Sequence, residues 1–79
     1  MSRLAEKLAD EIAAMTIEHI DKTGDEDIVQ MLATTMGDSS QTLQEAFITS
    51  IRVQRAAIRA KKDLAARARK LAEAPPDAG

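Results

Sequence analysis

A single histidine, His19, stands among three carboxylates, Glu18, Asp21 and Asp25. This is the nearest the chain comes to a metal site. It is a poor set for a transition metal, because zinc-type sites draw on further histidines or on cysteines, and the chain has none. His19 also shares a helical stripe with Leu4, Leu8, Ile12 and Met15, which predicts a partly buried or interface histidine. The acidic run DKTGDED has the composition of a calcium loop but not its register. With Asp21 at position 1, Glu26 falls where that loop needs glycine and Leu32 where it needs a bidentate glutamate. The spacing suits a helix cap instead. Catalytic parts are missing as well: there is no cysteine, no glycine-rich phosphate loop, no histidine paired with serine and no pocket-forming aromatic set. The expectation is a non-enzymatic protein with no catalytic, metal or cofactor-binding residues.

Two other groups carry chemistry that binds. Arg52, Arg55, Arg59, Lys62, Arg69 and Lys70 recur at helical spacing and form one basic face. Such a face can meet phosphates, with Arg52, Arg55, Arg59 and Lys62 as the candidate contacts, or can pair with an acidic helix of a neighbour. No aromatic residue interleaves them, so neither stacking on single-stranded nucleic acid nor insertion into a membrane is expected.

The second group is the stretch LATTMGDSSQTLQEAF, residues 32 to 47. Ala33 stands four residues before Gly37, and Leu43 six after it, with Leu32 and Met36 at apolar places and Ser39 and Thr42 beside them. Over about residues 29–48 this resembles the helix-turn-helix of phage-repressor type. The resemblance implies a close crossing at Ala33, a turn at Gly37, and a second helix anchored by Leu43. It also implies that Ser40, Gln41 and Gln44 read bases in the major groove of double-stranded DNA. The alternative is two capped helices that meet at a glycine.

These groups must be placed by a chain of 79 residues, long enough for one small domain. Apolar residues make up 44%, yet 15 of them are alanine, and Phe47 is the only aromatic. Alanine buries little area, so one copy has a thin core, and without cysteine no disulfide can reinforce it. Self-association is the remaining common way to enlarge such a core. The formal net charge of −2 conceals a division. Residues 1–50 carry 3 basic and 10 acidic side chains, whereas residues 51–79 carry 8 basic and 3 acidic. The halves could attract each other, within one chain or between antiparallel chains. The N-terminal stretch has acids every few residues and no signal-like apolar run, and no stretch approaches a membrane span; a cytoplasmic location is expected.

The pattern predicts an all-α fold of three helices: two short N-terminal ones and a long amphipathic third, in a helical bundle or a coiled-coil-like oligomer. Leu4, Leu8, Ile12 and Met15 set the expected inward stripe of a first helix over about 3–21, with Ile17 and Ile20 well off it. Thr23 and Glu26 fit a capping box for the second helix, which carries Ile28, Leu32 and Met36 and is expected to end at a left-handed Gly37. Asp38 and Gln41 fit a second capping box. Residues 40–74 contain neither glycine nor proline. A continuous helix there would be about 52 Å long, so its far end must project, pair with another chain, or bend back near ITSIRV. A heptad on Ile51, Ile58, Ala65 and Ala72 with Phe47, Gln54, Lys61 and Ala68 suggests a seam, although further along the richer stripe shifts to Ala57, Leu64, Ala68 and Leu71 and favours a hairpin or bundle. Phe47, Ile51, Ile58, Leu64 and Leu71 are the expected oligomer interface.

The expected organisation is one helical domain over 1–74 and a disordered tail over 75–79. The expected role is that of a small regulatory or adaptor protein, a homodimer or higher homo-oligomer that binds another protein through helical surfaces. The alternative is a helix-turn-helix DNA-binding regulator.

Overall fold

The computed structural model describes residues 3–73, so the tail expected at 75–79 lies outside the described residues. Within them the protein is all-α, with three helices: α1 (Arg3–Thr23), α2 (Asp27–Ser39) and α3 (Gln41–Glu73).

Helix α1 stops where Gly24 takes a φ of +75°, a conformation that side-chain-bearing residues rarely adopt. The Gly24 N–H still reaches back to the Ile20 carbonyl at 2.7 Å. The Thr23 hydroxyl accepts a bond from the Asp25 N–H at 3.1 Å and donates to the His19 carbonyl at 2.8 Å. Thr23 is therefore the last residue of α1, and the expected capping box with Glu26 does not form. Glu26 precedes α2 without a side-chain cap and turns its carboxylate to Arg55.

The α2–α3 junction also differs from the expected one. Gly37 is not left-handed; it lies inside α2, which continues to Ser39. One extended residue, Ser40 (φ −155°, ψ 103°), both ends α2 and begins α3. Its N–H donates to the Met36 carbonyl at 2.7 Å, and its hydroxyl accepts the Leu43 N–H at 3.1 Å. Gln41 pairs with Glu45 one turn on, so the box expected between Asp38 and Gln41 is absent.

From Ser40, α2 and α3 fold back beside each other. About 20 Å from that joint along each helix, the Arg55 guanidinium in the middle of α3 donates to both oxygens of Glu26, just ahead of α2, at 2.9 and 3.0 Å. Two arms of that length can be joined at both ends only if they lie side by side. Helices α1 and α2 both pack on α3 and touch each other little.

The core comprises Ala9, Ala13, Ile17, Ala33, Met36, Phe47 and Ile51, with Phe47 fully buried at its centre. Ile12, Val29, Leu32 and Leu43 are half-buried around it. Helix α1 thus faces inward through Ala9, Ala13, Thr16, Ile17 and Ile20. This is a turned face: of the stripe expected inside, Leu4, Leu8 and Met15 are exposed, and Ile17 and Ile20 have taken its place. Alanines on the inner face let the α1 and α3 backbones approach closely, which the larger aliphatic side chains would prevent.

Helix α3 is continuous. It neither bends at residues 48–53 nor folds back into a hairpin, and every residue from Ala56 to Glu73 is exposed. Its end runs well past the core, in a molecule 61 Å along its longest axis. No helix among the described residues is long and apolar enough to cross a membrane.

Candidate functional site

The surface with the most unmet chemistry is the side of α3 that turns away from α2. Val53 is 61% exposed, Leu64 71% and Leu71 61%. On a helix of 3.6 residues per turn, these three share an arc with Ala57, Ala60 and Ala68. The spacing from Ala46 through Ser50, Val53, Ala57, Ala60, Leu64 and Arg67 to Leu71 alternates four and three, a heptad seam with Arg67 as its one charged member. It begins beside the core and runs out along the bare end of the helix.

Where this seam passes α1, the two helices bound an open groove of about 880 Å³. Ala46, Ser50 and Val53 form part of its lining from α3, and Glu6 and Asp10 border it from α1. The third acid is Glu45, and no basic residue lines the groove. Its wall is held by three polar side chains. Ser50 donates to the Asp10 carboxylate at 2.6 Å, and Gln54 donates to the Ser50 hydroxyl at 2.9 Å and to the Asp10 carbonyl at 3.1 Å.

The residues expected at an oligomer interface divide. Phe47 and Ile51 are buried in the chain's own core, whereas Ile58, Leu64 and Leu71 are exposed, Ile58 least at 37%. The expected heptad through Phe47, Ile51 and Gln54 is thus turned toward α1 and α2, and the exposed seam is offset from it around the helix. Spacing alone did signal the exposed one through Ala57, Leu64, Ala68 and Leu71, but not that it begins at Val53 and continues the line of half-buried Ala46 and buried Ser50.

The residues expected to read DNA are also placed differently from one another. Ser40 spends its hydroxyl on the cap of α3. Gln41 is exposed and bonded to Glu45 at 3.2 Å. Gln44 is half-buried and donates to the Ala33 carbonyl at 2.8 Å, pinning α3 to α2. Helix-turn-helix units cross at about 90–120° over a turn of three or four residues. Here a single residue, Ser40, separates α2 from α3, and Arg55 of α3 reaches Glu26 just ahead of α2.

Of the candidate phosphate contacts, Arg55 is committed to Glu26. Arg52, Arg59 and Lys62 are exposed and make no ion pair with any described residue, and the same is true of Arg69 and Lys70.

His19 lies with its Nε2 3.0 Å from Asp25 Oδ2, both side chains partly exposed. Beside it the Lys22 ammonium, 2.9 Å from Glu18, holds that carboxyl below its usual range through their hydrogen bond, and Glu18 in turn raises Lys22. No three His, Cys, Asp or Glu side chains among the described residues gather as a metal site.

Comparison of the chain with protein-family models, curated proteins and solved structures finds no match.

Proposed function

We propose that this chain is a small non-enzymatic regulatory or adaptor protein that works through helix-mediated protein–protein contact and self-association, in the cytoplasm. The observation that carries this reading is the exposed seam of α3. A folded chain gains by covering large aliphatic side chains, and no described residue covers Leu64 or Leu71. A second apolar row, Leu4, Leu8 and Met15 on the outer side of α1, adds a surface for a further protein partner. The thin core supports the same reading, because Phe47 is its only fully buried large side chain.

Sedimentation velocity of the wild-type chain and of Leu64→Asp, with circular dichroism of both, tests the proposal. The wild type is expected to sediment as a dimer or larger species at micromolar concentration, and the variant as a monomer of equal helicity. A wild-type monomer at several hundred micromolar would overturn it.

One observation favours a second reading, a DNA-binding regulator. The basic side chains Arg52, Arg59, Lys62, Arg69 and Lys70 share one face of a helix that projects into solvent. Fluorescence anisotropy with random duplex DNA at two salt concentrations separates the readings. Binding that weakens steeply with salt would raise the DNA reading, since it reports released counterions.

A further inference from the structure

The geometry points to a specific occupant for the groove between α1 and α3: the projecting end of α3 from a second copy, laid in antiparallel and reciprocally. This rests on the self-association proposed above and adds to it the partner surface, the direction and the register.

Three observations converge. The first is continuity. The apolar floor of the groove, Ala46 and Val53, and the exposed residues Leu64 and Leu71 belong to one 4–3 seam on one face of α3. An antiparallel pair of such helices sets each position against its counterpart in the partner. With Val53 placed opposite Leu64 of the second copy, Ala46 meets Leu71, Ala57 meets Ala60, and Ser50 meets Arg67. Ala46 then makes room for Leu71, two alanines meet at the centre, and the single cation in the seam falls beside Asp10, which already accepts the Ser50 hydroxyl.

The second observation is charge. The groove is bordered by Glu6, Asp10 and Glu45 and by no base. Residues 59–73 carry six basic side chains and two acidic ones. In the stated register Lys61 and Arg67 approach the α1 side of the groove, and Lys70 approaches Glu45. The flanking positions produce no like-charge pair, because Lys61 meets Gln54 and Asp63 meets Ala56. Moving the register by one heptad, so that Val53 meets Leu71, would set Lys61 against Lys61 and Asp63 against Asp63.

The third observation is size. The flank of the projecting helix that would lie nearest the partner's α1 carries Ala65, Ala68 and Ala72. These allow the helix to nest between two neighbours, where longer side chains would hold it away. The groove runs from Thr42 to Gln54, about 18 Å of helix, and the projection from Arg59 to Glu73 is about 21 Å long. Because the arrangement is reciprocal, each copy's bare end gains the partner's α3 and α1 as neighbours, in a closed two-fold dimer.

The chain has no cysteine, so single cysteines can report the register. Val53→Cys and Leu64→Cys alter exposed positions only and leave the core intact. Each variant alone and an equimolar mixture are oxidised mildly and run on a non-reducing gel. In the antiparallel register the mixture forms a covalent dimer of the two variants. Each variant alone stays uncrosslinked, since its two cysteines lie about 16 Å apart along the helix, too far for a disulfide. Homodimers from each variant alone would mean parallel pairing. That outcome overturns this inference and leaves self-association standing. Absence of cross-links in a chain that still sediments as a dimer would also overturn it. A wild-type monomer by sedimentation would remove the underlying reading itself.

Discussion

The side-chain amide of Gln44 occupies the space that a β-carbon on residue 37 would need, and from there it donates to the Ala33 carbonyl at 2.8 Å. Gly37 is therefore set by a close approach between helices and not by a turn. Two opposing effects follow for Gly37→Ala. A mid-helix alanine gains about 1 kcal/mol over glycine, while displacement of Gln44 loses a hydrogen bond worth about 1 kcal/mol. The single substitution is expected to change stability by less than about 0.5 kcal/mol in urea unfolding, because those terms cancel. In a Gln44→Ala background the same change should stabilise by about 1 kcal/mol. Equal effects in both backgrounds would show that the two residues are uncoupled.

The Arg55–Glu26 pair closes the open end of the α2–α3 hairpin, but it does so in partial exposure, with Arg55 one-third and Glu26 nearly two-thirds accessible. Bidentate geometry helps, yet water and salt screen such pairs. A double-mutant cycle on Arg55→Ala and Glu26→Ala should give a coupling of about 0.5–1 kcal/mol at low salt, smaller at 1 M. A coupling unaffected by salt would contradict the exposure seen here.

Among the described residues, Phe47 is the one large side chain fully enclosed. Phe47→Ala should cost about 3–5 kcal/mol, comparable to the whole stability of a chain this size, about 4–12 kcal/mol. Loss of the cooperative thermal transition in circular dichroism is the expected result. Phe47→Leu should retain a transition at lower temperature. An alanine variant that melted like the wild type would mean that the core is centred elsewhere.

The charge argument for the groove can be tested without cysteines. Glu6→Lys and Arg67→Glu should each weaken the dimer about tenfold when alone, by placing like charges together. An equimolar mixture of the two variants should recover much of the wild-type affinity in sedimentation equilibrium, because the α1 side of each groove then again holds charges of opposite sign. No recovery on mixing would separate these residues from the interface.

Much of this architecture was legible in the sequence. The three helices follow from periodicity, from Gly24 and from the helix formers after Ser40, and the ends of α1 and α3 lie within about two residues of the expected ones, whereas α2 begins about three residues after the Thr23 cap and continues past Gly37 to Ser39. The inward face of α1 was not legible. Periodicity registers large aliphatic residues whatever they touch, so it selected Leu4, Leu8, Ile12 and Met15, whereas close packing on α3 selected Ala9 and Ala13. The groove was hidden for a related reason. Its walls come from residues some 40 positions apart, such as Asp10 and Ser50, and nothing local in either stretch announces the other. The bond from Gln44 to Ala33 was not legible either, because an amide that reads a base and an amide that pins two helices look identical in a sequence.

Ser40, alone between two helices, leaves no slack at that junction. Adding or deleting one residue there would rotate all of α3 by about 100° against α2. Phe47 would swing out of the centre, and the bare aliphatic row would point a quarter-turn away from where a neighbour could meet it. Length variation at this joint is therefore an all-or-nothing matter, whereas the three-residue link at 24–26 can absorb a change without altering the phase of the long rod.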